Sequence, residues 1–127
     1  MEIIFQWLHT GEDVREILSR YISQVKQDKA YLTDIVMGVA AKKKEIEEQV
    51  EPYLKDRKLD EVSQLEFALL LVASYEMMFK YDVPYRVVIN EALDIIKEYG
   101  AQDSFKFINS VLDHLAKDVR GLECKGS

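Results

Sequence analysis

Val83-Pro84-Tyr85-Arg86-Val87-Val88-Ile89-Asn90-Glu91-Ala92, followed after Gly100 by Asp103-Ser104-Phe105-Lys106-Phe107-Ile108-Asn109-Ser110-Val111-Leu112-Asp113, is the stretch on which the fold turns. Pro84 presets the backbone for the first position of a helix, where its missing N–H costs nothing. Gly100 can take the left-handed conformation that ends one. The two residues bracket a single predicted helix. Within it Tyr85, Val88, Ala92, Ile95, Ile96 and Tyr99 recur at helical spacing as a core-facing stripe, leaving Arg86, Asn90, Asp94 and Lys97 on a polar face. Packing accounts for the stripe. It does not account for Asn90, because asparagine competes with its own backbone in mid-helix and suits that place only when its amide has a partner.

Working outward, the pattern is helical throughout. Glu2 to His9 is a short helical fragment, and Thr10-Gly11-Glu12-Asp13 breaks it with a capping residue. Val14, Ile17, Leu18, Tyr21, Ile22 and Val25 then form the apolar stripe of the next helix. Tyr31, Ile35, Val39 and Ile46 continue in a third, whose far half carries Lys42, Lys43, Lys44, Glu45, Glu47 and Glu48 at the spacing of ion pairs on a solvated surface. Pro52 interrupts, and Leu59 to Phe79 resumes with Val62, Leu65, Leu69, Val72, Ala73 and Met77. Phe67, Leu70 and Leu71 occupy its other faces, so this helix is apolar nearly all round and is expected at the centre. No useful stretch alternates with a period of two, and no hairpin dipeptide or fixed-period repeat is present. The fold class is therefore all-α, a compact bundle of about six or seven helices.

Composition bounds the function. The chain's 127 residues, 48% hydrophobic and 31% charged, suffice for one domain with one core. Residues 1–127 are accordingly expected to form a single domain ending in a polar tail at 120–127. The one cysteine, Cys124, lies in that tail and leaves neither a disulfide nor a thiolate metal site. The longest apolar run, Phe67 to Ala73, falls far short of the roughly 20 residues that cross a bilayer. No basic-then-apolar leader opens the chain, so a cytoplasmic location and no membrane partner are expected. His9 and His114 share no ligand spacing, and there is no Gly-rich phosphate cradle. Ser104 and Ser110 lack the strand-turn setting of a nucleophile elbow. Neither a metal nor a cofactor is expected, and the chain reads as a binding protein, not an enzyme. Paired carboxylates are frequent, but 23 acidic residues produce neighbours by chance.

The segment DVPYRVVINEALDIIKEYGAQDSFKFINSVLDHLA resembles the second half of the NusB family, which reads approximately VPxxVxINEAVxLAKxFG, a step rich in Asp and Ser, and KFVNGVLD. Proline, INEA, glycine and K-F-[IV]-N-x-V-L-D all fall in register. Upstream, Gly38-Val39-Ala40 is similar to the family's LxxGV, Pro52-Tyr53-Leu54 to its PYL turn, and Glu66 to Glu76 (EFALLLVASYE) to its ExxxLRxAxYE helix. The resemblance covers nearly the whole chain and is weakest at its start.

That resemblance implies transcription antitermination on ribosomal RNA transcripts. The implied partners are boxA single-stranded RNA, bound jointly with the small-subunit ribosomal protein NusE, and the RNA polymerase antitermination complex. A formal charge of −6 argues against sequence-independent RNA binding but not against a local site. Cations that such a site could use are Lys42 to Lys44, the Lys55-Asp56-Arg57-Lys58 turn, Lys80, Arg86 and Lys106, though each cluster alone reads more naturally as solvated surface. By resemblance Asp103 matches the acidic position at the family's RNA surface, and Lys106, Phe107 and Asn109 match its K-F-x-N. Each has a plainer reading beside it. Asp103 and Ser104 suit a helix start. Phe107 suits stacking on an unpaired base, worth about 1–3 kcal/mol, or packing on Val111 one turn on, which is favoured. Asn90 and Asn109 suit amides that tie helices together. For NusE, the transferable positions are Glu66, Tyr75 and Glu76. Glu66 is the strongest of them, as a carboxylate open to a basic partner; Tyr75 also suits the core.

Two departures from the family pattern bear on function. The family opens with an arginine-rich segment, R-R-x-A-R-x-x-A-x-x-x-L-Y, whereas Met1 falls partway through the corresponding helix, with Ile4-Phe5 near its L-Y. Residues 1–9 thus read as a truncated first helix: either the start codon was assigned late, or this is a divergent member with weakened RNA affinity. Uncovered neighbours would lose about 25 cal/mol per Å² of burial, giving lower stability and self-association into a homodimer. The arginine of L-R-x-A-x-Y-E is replaced by Leu71. Two rival readings follow: the NusB-like accessory domain of an RNA cytosine methyltransferase, for which the tail Gly121 to Ser127 shows no catalytic part, and a protein-interaction module that has lost RNA binding.

Overall fold

A computed structural model describes residues 2–24, 28–54, 58, 61–99 and 102–121. Six α-helices lie among the described residues: α1 (Glu2–Thr10), α2 (Val14–Ile22), α3 (Lys29–Val50), α4 (Gln64–Phe79), α5 (Tyr85–Lys97) and α6 (Gln102–Val119). A 3₁₀ turn, Glu51–Leu54, follows α3. No strand occurs among the described residues. The all-α expectation and the helix number both hold. Val25, the Lys55–Arg57 part of the basic turn, Leu59, Gly100 and Cys124 lie outside the described residues.

α4 sits in the middle, packed against α1, α3, α5 and α6. Its sequence explains the position: Ala68, Leu69, Leu70, Leu71, Ala73, Ser74, Tyr75 and Met77 are all buried, so every face meets protein. Leu71, where the family pattern has arginine, is 1% exposed and belongs to this apolar interior. The start of α4 differs from the sequence expectation. The helix begins at Gln64 because Ser63, extended at φ −64° and ψ 157°, caps it. The Glu66 N–H donates to Ser63 Oγ at 3.2 Å and the Ser63 N–H donates to Glu66 Oε1 at 3.1 Å. This reciprocal pair satisfies two N–H groups that the first turn leaves without partners.

α5 starts where Pro84 directs it. Pro84 is the residue before the helix (φ −58°, ψ 140°), and its carbonyl accepts from Val87 and Val88. Of the predicted stripe, Val88, Ala92 and Ile96 are buried and Tyr85 and Ile95 half-buried; Ile89 and Leu93, which the stripe did not include, are buried as well. Tyr99 is the exception at 60% exposed. The helix ends at Lys97, so Tyr99 falls in the turn beyond it and no longer follows the helical rotation of the stripe. Asn90 is exposed, not held between helices.

Candidate RNA and partner interface

α6 begins at Gln102, which puts Asp103 in its first turn, where a carboxylate meets the positive end of the helix dipole. From that turn Asp103, Lys106 and Asn109 are exposed, while Ser104 and Phe107 are half-buried. Phe107 packs against the core edge, in keeping with its apolar reading. Asn109 is exposed rather than tying helices together. Beside this cluster, the Lys97 ammonium stands 5.4 Å from the Phe105 ring centroid. The amino-terminal part of α6 thus presents the Lys106 cation, the Asp103 carboxylate and the amides of Gln102 and Asn109 to solvent, with Phe105 and Phe107 half-buried beside them.

Lys80 and Arg86 are not part of that cluster. α5 has 13 residues, about 20 Å at the helical rise. They stand where it begins, whereas α6 starts just beyond its other end. Lys80 is moreover committed: its ammonium ion-pairs with the Asp34 carboxylate of α3. That hydrogen bond raises the lysine pKa above its ordinary value and outweighs the opposing effect of desolvation. A charge neutralised by Asp34 has little left for a phosphate. Arg86 is exposed; its Nε donates to the Tyr85 hydroxyl at 3.1 Å. Lys42 and Lys43 are likewise engaged, by Glu45 at 3.7 Å and by Glu47. They also lie over the Phe79 and Phe67 rings.

The three residues expected to meet a protein partner have distinct surroundings. Glu66 is 5% exposed and holds the α4 cap, so it is not an open surface carboxylate. Tyr75 is buried too, its ring beside Phe79 at 5.2 Å between centroids and its hydroxyl over Gly38 of α3. Glu76 is half-buried at the rim of a groove between α4 and α5, of about 180 Å³, with Val72, Val88 and Glu91 among its lining residues. Its Oε2 accepts from the Tyr31 hydroxyl at 2.8 Å. Burial raises the Glu76 pKa, the Tyr31 hydrogen bond pulls it back, and the nearby Glu91 carboxylate raises it again. Burial first, and then Glu76, raises the tyrosine pKa in turn. Of the three, only Glu76 offers a carboxylate that a basic partner could reach.

A larger groove of about 540 Å³ opens on the same side of α4, lined by Phe5, Gln6 and His9 of α1, Tyr21 of α2, Leu65 of α4 and Tyr99. Phe5 and His9 stack with centroids 6.1 Å apart, and His9 Nδ1–H donates to Gln64 Oε1 at 2.9 Å. No helix among the described residues is long and apolar enough to cross a membrane.

One structural residue escaped the sequence reading altogether. Arg120, at the head of the stretch read as a polar tail, is 4% exposed. Its guanidinium donates to the backbone carbonyls of Met77 (2.9 Å), Glu76 (3.2 Å), Lys80 (2.8 Å) and Val83 (2.9 Å), and lies 4.8 Å from the Tyr81 ring centroid. These carbonyls end α4 and lead into α5, where the helix dipole favours a cation. Position relative to a carbonyl 43 residues away leaves no mark in a linear pattern.

With this geometry in place, comparison with known proteins is unambiguous. The family model described as "NusB family" matches residues 1–117. The chain is 40% identical to the transcription antitermination protein NusB of Alcanivorax borkumensis over 97% of its own length and 83% of that protein's. It is 39% identical to that of Proteus mirabilis, over 94% and 89%. The structure of T. maritima NusB superposes with a TM-score of 0.87 at 29% identity, covering 98% of this chain and 90% of that one. A family model matched over most of the chain, relatives near 40% identity and a solved fold that superposes along nearly its whole length show together that the chain belongs to the NusB family.

Proposed function

We propose that this protein is a transcription antitermination factor that works by binding and not by catalysis. In this reading it engages boxA single-stranded RNA of ribosomal RNA transcripts jointly with NusE, within the RNA polymerase antitermination complex. The observation that carries the reading is the exposed Asp103, Lys106 and Asn109 cluster on the first turns of α6, in a chain whose relatives are named transcription antitermination proteins. Lys106 neutralises a phosphate, the Asn109 amide meets a base edge or sugar, and Asp103 accepts from a base amino group. A net charge of −6 keeps the protein's solitary affinity for RNA low. Sharing the RNA with a basic protein supplies the missing positive charge, and Glu76 at the α4–α5 groove is the carboxylate that would face such a partner.

The test is a titration of labelled boxA RNA and a scrambled control with the protein, alone and with NusE, at low and physiological salt. Binding that prefers boxA, tightens with NusE and weakens with Lys106→Ala supports the reading. Binding of NusE without any preference between the two RNAs would overturn its RNA half.

A further inference from the structure

α5 ends in a cation that its own helix explains only in part. Lys97 is the last residue of that helix, where the negative end of the dipole favours a positive side chain. The exposed ammonium does not stay with α5. It reaches α6, packed alongside, and stands 5.4 Å from the centroid of the Phe105 ring. Gln102, Phe105, Lys106 and Asn109 are spaced three and four apart and share one face of α6. Lys97 is therefore drawn onto the face that carries Lys106 and Asn109.

The kind of contact decides what the lysine can still do. Lys42, Lys43, Lys80 and Lys117 each lie against a carboxylate, of Glu45, Glu47, Asp34 and Asp113 respectively. Lys97 lies against a ring. Asp94, one turn back, and Glu98, next in the chain, form no ion pair with it among the described residues. An aromatic face attracts an ammonium through its quadrupole and leaves the charge intact. It also restrains a flexible side chain before any ligand arrives, so less freedom is lost on binding.

We propose that Lys97 is a second phosphate contact of the RNA site, with Phe105 as the residue that positions its ammonium. The proposal rests on the RNA-binding reading above and extends it. A single strand lying along the start of α6 meets cations from two helices, Lys97 and Lys106, and is held to the corner where α5 gives way to α6.

The salt dependence of boxA binding, measured with NusE present, tests this, because each phosphate neutralised on a single strand contributes about 0.7 to the slope of log K against log salt. Lys97→Ala should lower the slope by about that amount. Lys97→Arg keeps a charge that can lie on the ring and should retain the full slope. Phe105→Leu should weaken binding a few-fold with Lys97 in place and have no effect when Lys97 is already alanine. Equal weakening in both backgrounds would overturn the positioning role of Phe105. A full slope in Lys97→Ala beside a reduced one in Lys106→Ala would overturn the second contact and leave the α6 cluster standing. Absence of any boxA preference in the unsubstituted protein would overturn the RNA reading and this proposal together. Should Lys97→Ala weaken NusE binding equally with and without RNA, the lysine faces the protein partner, and the phosphate contact is overturned.

Discussion

The phenol of Tyr75 fills the space over Gly38 that any side chain at that position would need. α3 and α4 therefore approach closely at this point, and the glycine of the Gly38-Val39 motif is there for space, its backbone being ordinary helix. Gly38→Ala would drive a methyl group into the ring and hydroxyl of a buried tyrosine. The expected loss is about 1–3 kcal/mol, as for other overpacked cores, despite the better helix propensity of alanine. Urea denaturation checks it, and Tyr75→Leu in the Gly38→Ala background should recover part of the loss.

The cap of α4 yields a second expectation. Ser63→Ala should destabilise the protein by about 1 kcal/mol, read as a lowered urea midpoint. Glu66→Ala should cost stability as well, since it removes the other half of the reciprocal pair from a buried position. A loss of partner binding in Glu66→Ala therefore needs a stability measurement beside it.

pH acts through Glu76. Its folded pKa lies above the ordinary glutamate range, so the folded state holds the proton more tightly than the unfolded chain does. Between the two pKa values stability must fall as pH rises, and the full cost of the ionised carboxylate is present above the folded pKa. Glu76→Gln should flatten that part of the stability profile. Tyr31→Phe removes the hydrogen bond that favours the carboxylate and should raise the Glu76 pKa further, whereas Glu91→Gln should lower it. Carbon-detected NMR titration of the side-chain carboxyl groups distinguishes the two directions.

The two lysines proposed from sequence should behave differently toward RNA. Lys106 is exposed on α6, and Lys106→Ala should lower the salt slope of boxA binding by about 0.7. Lys80 is neutralised by Asp34, so Lys80→Ala should leave the slope nearly unchanged. Equal effects from the two substitutions would mean that RNA displaces Asp34.

The fold was legible because each helix carries its own stripe, and because α4, apolar on every face, has only one place to go. The site was legible in part. Asp103, Lys106 and Asn109 are neighbours in sequence and remain neighbours on α6, so a linear motif describes them adequately. Lys80 and Arg86 were grouped with them by charge, but the length of α5 separates the two sets and a salt bridge across the bundle removes one cation. The role of Glu66 could have been found, since Ser63-Gln64-Leu65-Glu66 has the spacing of a reciprocal cap just before an apolar run. Arg120 could not. Nothing local distinguishes it from a surface arginine, and its partners are backbone carbonyls, which any residue supplies.

The reach of Arg120 also bears on how the chain comes together while it is being made. The carboxyl end of α4 is complete at residue 79, yet the cation that satisfies it arrives only with residue 120. A nascent chain stopped before that point would leave the Met77 and Val83 carbonyls without the guanidinium, and those of Glu76 and Lys80 with only the N–H groups of Lys80 and Val83 as donors. Synthesis and final closure of the bundle are thereby linked, and ribosome-bound chains truncated before residue 120 should be more readily cleaved by protease near residues 76–83 than chains extended beyond it.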